Sequence, residues 1–135
     1  MVDRSVVLDT SAIIALIQSE PQAEAITKAL ADAANRASSA TTLLEASIVA
    51  DGARDPVRTA RFDALIDALD LEVVAVSDSQ VRLARQAFRD YGRGSGHPAR
   101  LNFGDCFSYA LARERRAPLL YVGDDFAHTD VASVL

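Results

Sequence analysis

The alternation of short, wholly apolar runs with longer amphipathic stretches constrains this chain more than any other feature. Residues 6–8 (Val-Val-Leu) and 118–122 (Pro-Leu-Leu-Tyr-Val) show no polar alternation, the pattern of strands covered on both faces in a parallel sheet. Residues 71–76 form the clearest further strand, 36–39 a weaker one, and 131–135 a candidate edge strand. Between them apolar residues recur at helical spacing. One helix covers 12–17 behind the capping candidates Thr10 and Ser11, and Pro21 opens a second that runs to about residue 34. A third starts at Thr41 or Thr42 and ends near Gly52, and Pro56 opens a fourth over 56–69. Ser77 or Asp78 caps a fifth through Tyr91, and Asn102 caps a sixth from 103 to about 116. This order predicts an α/β fold with a central parallel sheet of about four or five strands. The 135 residues suffice for a single domain, 1–135. Ligands in such sheets bind beyond the carboxyl ends of the strands, so functional residues are expected along that edge.

Half the residues are hydrophobic, yet no apolar run approaches the roughly 20 residues that span a bilayer. Residues 1–8 lack a cationic region followed by a long apolar stretch, so no secretory leader and no membrane association is expected. The lone cysteine, Cys106, rules out a disulfide within the chain and fits a reducing, cytoplasmic setting. The net charge of −5 argues against coating nucleic acid by bulk electrostatics, although it leaves room for an enzyme acting on nucleic acid.

Four acids from distant parts of the chain are expected to meet. Asp9 directly follows the first strand, and Asp124 and Asp125 directly follow the 118–122 run. Glu45 and Asp105 fall in the first turn of their helices, whose N-termini lie on the same side as the strand ends. Each acid has an ordinary explanation as well. Thr42-Leu43-Leu44-Glu45 matches a capping box, Asn102-Phe103-Gly104-Asp105 is a near relative, and acids favour helix starts generally. Asp9 reads equally as a turn residue and Asp124-Asp125 as a polar loop. Their convergence is harder to dismiss. Two carboxylates 4 Å apart near a surface repel by about 4 kcal/mol, so a fold gathers them only against something cationic. Oxygen-only ligands suit Mg²⁺ or Mn²⁺, and no histidine or cysteine pair has zinc spacing.

Four stretches stand out together: Val6-Val7-Leu8-Asp9-Thr10-Ser11-Ala12, Leu44-Glu45, the run 101–112 (Leu-Asn-Phe-Gly-Asp-Cys-Phe-Ser-Tyr-Ala-Leu-Ala), and 118–126 (Pro-Leu-Leu-Tyr-Val-Gly-Asp-Asp-Phe). Together they resemble the PIN-domain family, more narrowly the VapC toxins of bacterial toxin–antitoxin pairs. The resemblance spans essentially the whole chain. It implies a PIN-like three-layer α/β/α fold and an endoribonuclease requiring Mg²⁺ or Mn²⁺. Asp9, Glu45 and Asp105 match the first three family acids. The fourth is Asp124 by choice, with Asp125 and Asp130 as alternates, because relatives often carry a longer loop here. Asp9 and Asp105 would ligate the metal directly, Glu45 and Asp124 directly or through water. Such proteins act on RNA and pair with a cognate VapB antitoxin. They contact operator DNA through that complex, and a homodimer is expected. A PIN-type RNA- or protein-binding module without cleavage is the alternative, against which the intact acids argue.

Other residues are weaker candidates. Thr10 and Ser11 are candidates to cap a helix, to orient Asp9 or to contact substrate, and Arg93 and Arg100 of the glycine-rich loop 92–98 and its flank are candidate phosphate contacts. Arg82, Arg85 and Arg89 share a helix face that reads as solvated surface. His97 and His128 read as structural or exposed, Cys106 as packing, and Phe103, Phe107 and Tyr109 as core or interface. A haloacid-dehalogenase-like phosphatase would need a second acid where Ser11 stands. A response-regulator receiver would need a late lysine after a strand, and Lys28 is the only lysine.

Overall fold

The computed structural model describes residues 4–135; the first three residues of the 1–8 stretch read above lie outside them. The strands are β1 (Ser5–Leu8), β2 (Asn35–Ser39), β3 (Glu72–Val74) and β4 (Leu119–Leu120). The helices are α1 (Thr10–Ile17), α2 (Ala23–Asp32), α3 (Ala40–Asp51), α4 (Pro56–Leu69), α5 (Asp78–Tyr91) and α6 (Phe103–Arg115), followed by a 3₁₀ turn at Phe126–His128. All sheet pairings are parallel, in the order β3-β2-β1-β4. The chain builds outward from β1 on one side and returns on the other, so the direction of winding switches between β1 and β4, the place where such sheets open a crevice.

Period-two alternation along β1 divides the core. Val6 and Leu8, with Leu120, pack among α1–α4, on Ile13, Ile26, Ala46 and Phe62. Val7 and Leu119 point the other way, into Leu101, Cys106, Tyr109 and Leu111 of the α5–α6 layer. Helices therefore cover both faces of the sheet, the three-layer α/β/α arrangement. Each fully buried Leu or Ile contributes roughly 1.5–3 kcal/mol, and Leu8, Ile13, Ile26, Leu119 and Leu120 lie in the two clusters that clamp the middle strands.

Several boundaries depart from the sequence reading. The 71–76 and 118–122 runs shorten to three and two paired residues. Residues 131–135 contribute one bridge, Leu119 to Ser133, rather than a strand. Pro21 sits in a turn, and α2 begins at Ala23. Ser39, not Thr41 or Thr42, caps α3 by accepting the Thr41 amide at 3.3 Å. That start two residues early moves Glu45 into the second turn of α3 and dissolves the Thr42–Glu45 capping box. Phe103 is not core: it is 75% exposed and meets Phe107 edge-on at 4.9 Å.

Candidate active site

A cavity of about 390 Å³ opens at the carboxyl edge of the sheet, where β1 and β4 part. Asp9, Thr10, Ser11, Ile14, Glu20, Glu45, Val49, Asn102, Asp105 and Val122 line it. Three of the four acids expected to converge are thus brought to one place.

Asp9 ends β1 and is 3% exposed. It caps α1 itself, the role expected of Thr10 or Ser11, by accepting the Ser11 amide at 3.1 Å. The Ser11 hydroxyl donates to the same Oδ2 at 2.7 Å and accepts the Val122 amide at 3.0 Å. This ties Asp9 to the chain leaving β4. Its Oδ1 accepts from Ser108 Oγ at 2.5 Å, and Ser108 lies 3.2 Å from the Thr42 hydroxyl. Buried carboxylates are tolerable only with such donors, and these fix the direction in which the remaining lone pairs point.

Asp105 sits at the third position of α6 in a complete capping box. Its amide donates to Asn102 Oδ1 at 2.9 Å, and its Oδ2 accepts the Asn102 amide at 3.0 Å. Burial pushes its carboxyl up to about 7, helped by the charges of Asp9, Asp125 and Glu45 and opposed by the Asn102 amide. Glu45 reaches the cavity from α3 and accepts from Thr10 Oγ1 at 2.5 Å. Gly104 makes room for it: a Cβ there would fall 2.5 Å from Glu45 Oε2 and 2.7 Å from Oε1. With any larger residue here the Glu45 carboxylate would have to shift from the place it holds against α6.

Two residues escaped the sequence reading. Ser108 follows Asp105 by three residues and so shares its helix face, but a lone buried serine carries no further signal. Glu20 lines the cavity because Ser19 takes a left-handed φ of 51° and the Glu20 amide returns to the Ala15 carbonyl at 2.9 Å. This turn swings the chain back toward α1.

Asp124, the sequence choice for the fourth acid, and its alternate Asp125 are both exposed, and neither lines the cavity. The charge of Asp125 reaches Asp105 and raises its carboxyl. Asp130 is turned away, accepting from Tyr109 Oη at 2.5 Å and pairing with Arg113 at 3.4 Å. Arg82 pairs with Asp78, whereas Arg93 and Arg100 flank the loop whose end, Leu101, adjoins Asn102 at the cavity. His97 Nδ1 accepts the Ala99 amide at 3.1 Å and its ring meets Tyr91 at 4.9 Å, which holds the loop. Burial pushes the Cys106 thiol up to about 11, in keeping with packing.

Among the described residues no three acidic, histidine or cysteine side chains stand ready as a metal cage. The donor set nonetheless suits a hard cation. Asp9, Glu45 and Asp105 offer only oxygens, and Asp105 Oδ1 has no hydrogen-bond partner among the described residues. Glu45, held through its flexible side chain, has the freedom to close the set.

Residues 6–132 match the PIN domain family. Over 129 residues the chain is 54% identical to ribonuclease VapC28 of Mycobacterium tuberculosis, covering 96% of this chain and 97% of that one. It is 42% identical over 128 residues to ribonuclease VapC of Mycolicibacterium smegmatis, covering 95% and 98%. Among solved structures it is similar in fold to VapC20 of M. tuberculosis, described as a sarcin-ricin loop cleaving toxin, with a TM-score of 0.71, 18% identity and 94% and 96% coverage. A toxin–antitoxin complex from Klebsiella pneumoniae gives 0.71, 19% identity and 96% and 98% coverage. VapBC2 from Rickettsia felis, bound to a promoter DNA fragment, gives 0.70, 13% identity and 96% coverage of both chains.

Proposed function

Because the chain belongs to the PIN-domain family, and within it to the VapC ribonucleases, we propose that it is a divalent-metal-dependent endoribonuclease, the toxin of a VapBC-type pair. The observation that carries this reading is the cavity at the β1–β4 switch, where Asp9 is pinned by Ser11 and Ser108 and faces Asp105 and Glu45.

Asp9 and Asp105 would hold Mg²⁺ or Mn²⁺ directly, and Glu45 and Asp125 directly or through water. Such a cation supplies charge against the phosphate and lowers the pKa of water near it. The chain's own residues do the positioning. Ser11 and Ser108 donate to Asp9 and fix its carboxylate in one rotamer. The Asn102 amide does the same for Asp105 Oδ2, leaving Oδ1 toward the cavity. Thr10 orients Glu45. Thr10 and Ser11 therefore serve the acids, and substrate contact falls to Arg93 and Arg100 beyond Asn102.

The partners follow from the same reading: an RNA substrate, a VapB-type antitoxin, a second copy of the chain, and operator DNA through the antitoxin complex. Among the described residues no helix is long and apolar enough to cross a membrane, and cytoplasmic action is part of the proposal. Purified protein incubated with cellular RNA is expected to cleave it with Mg²⁺ or Mn²⁺ and to stop in EDTA. RNA binding without cleavage under both conditions would instead identify a non-cleaving binding module.

A further inference from the structure

A second cavity, of about 370 Å³, lies beside the acidic one and has opposite charge. Ile17, Gln18, Arg58 and Arg61 line it. Among the described residues its ionisable lining groups are the two arginines, whereas the neighbouring cavity is ringed by Asp9, Glu20, Glu45 and Asp105. Helix α1 joins them: Ile14 lines the acidic cavity, and Ile17, one turn further and about 4.5 Å along the axis, lines the basic one.

Arg58 and Arg61 are three residues apart on α4 and so share a face. Neither forms an ion pair or side-chain hydrogen bond among the described residues. Arg82, Arg113 and Arg115 pair with Asp78, Asp130 and Glu72, and Arg36 binds the Leu30 and Leu69 carbonyls. Arg58 is half-buried, with its neighbours providing a floor of Ile17 and Gln18. Two uncommitted guanidiniums over such a floor suit an anion that accepts several hydrogen bonds at once, as a phosphodiester does.

The layers set the direction. Helices α1 and α4 cover one face of the sheet, while Leu101 and α6 belong to the other. The acidic cavity opens between the layers at the sheet edge. Resting on the ribonuclease reading above, we propose that Arg58 and Arg61 form a phosphate-binding subsite for the RNA backbone on the α1–α4 side of the cleavage site. A strand held there lies across the sheet edge, its scissile phosphate over the carboxylates and its far side toward the Arg93 and Arg100 loop. In a chain of net charge −5 with an acidic centre, such flanking cations offset the repulsion that a polyanion meets on approach.

The test is binding of a labelled single-stranded RNA oligonucleotide to the full chain in EDTA, by fluorescence anisotropy from 50 to 200 mM salt. Each lost phosphate contact reduces the log–log salt slope by about 0.7 for single strands. The double variant Arg58→Ala/Arg61→Ala is therefore expected to lower the slope by about 1.4 and to blunt the loss of affinity over that range by about 7-fold. Arg58→Lys/Arg61→Lys should keep most of the slope, and Arg82→Ala should keep all of it. With metal restored, the alanine pair should raise KM for the oligonucleotide and leave kcat unchanged. An unchanged slope in the alanine pair, with wild-type RNA binding intact, overturns the subsite alone. Absence of RNA cleavage by the wild-type chain with metal restored overturns the ribonuclease reading, and the subsite with it.

Discussion

In the metal-free protein, raising the pH from 4 to 7 should destabilise the fold, and Asp105 should be the cause. Its carboxyl sits at about 7 in the folded chain against an ordinary value of 3.8. Between those values the folded state binds more protons than the unfolded state, so the slope of unfolding free energy with pH is negative. The stability is fully present below pH 4 and is lost as pH rises through 7. A shift of about three units corresponds to a ceiling of about 4 kcal/mol. Asp105 keeps partial access to solvent, which brings the expected loss to about 2 kcal/mol. For a domain of this size that is a fall in Tm of about 8 °C. The assay is thermal or urea unfolding in EDTA at pH steps from 4 to 7.5, on wild type and Asp105→Asn. The difference between the two curves isolates Asp105 from the other groups that titrate in the window. Mn²⁺ added at pH 7 should restore the lost stability in wild type alone, since a ligand of the folded state stabilises by mass action. Parallel curves for wild type and Asp105→Asn would refute the reasoning.

Other outcomes follow from the same contacts. Ser108→Ala removes a donor from buried Asp9 Oδ1, so it should cost about 1–3 kcal/mol in urea unfolding and weaken Mn²⁺ affinity by about 10- to 100-fold in a calorimetric titration. Gly104→Ala places a methyl group against the Glu45 carboxylate. The flexible glutamate end can yield, so the fold should survive by circular dichroism while cleavage at limiting Mn²⁺ drops. Tyr109→Phe removes the hydroxyl from Asp130; it should lower stability by about 1 kcal/mol with cleavage retained, since Asp130 lies outside the cavity.

The strand and helix order was legible because the apolar period changes from element to element and α1, α3, α4, α5 and α6 each start at a side-chain cap. Asp9 could be placed because it closes a buried strand, and Asp105 because Asn102 stands three residues before it in a capping box that the structure reproduces. Glu45 was assigned to the right cavity for the wrong local reason. Ser38, Ser39, Thr41 and Thr42 all compete to start α3, and choosing among them depends on where β2 stops pairing, a tertiary contact. The length of β4 was hidden for a similar cause: the 118–122 run is apolar throughout, but partners exist for only part of it. Glu20 and Ser108 were illegible because one reaches the cavity through a left-handed turn and the other acts through a single hydroxyl. For the loop acids, three aspartates within seven residues offer the same chemistry, and only tertiary contacts separate them: Tyr109 and Arg113 engage Asp130, and the charge of Asp125 reaches Asp105.

The most direct test of the carboxylate-held metal is the rate of cleavage of one RNA as Mn²⁺ is titrated, for wild type and for Asp9→Asn. Asparagine keeps the helix cap through its carbonyl oxygen, and its Nδ2 can donate to the Ser108 hydroxyl in place of the bond that Asp9 accepts, so the variant should fold as wild type does by circular dichroism. Saturable, Mn²⁺-dependent cleavage by wild type and none by Asp9→Asn at any Mn²⁺ concentration is the expected result. Undiminished cleavage by a folded Asp9→Asn chain, or cleavage by wild type in EDTA, would contradict it.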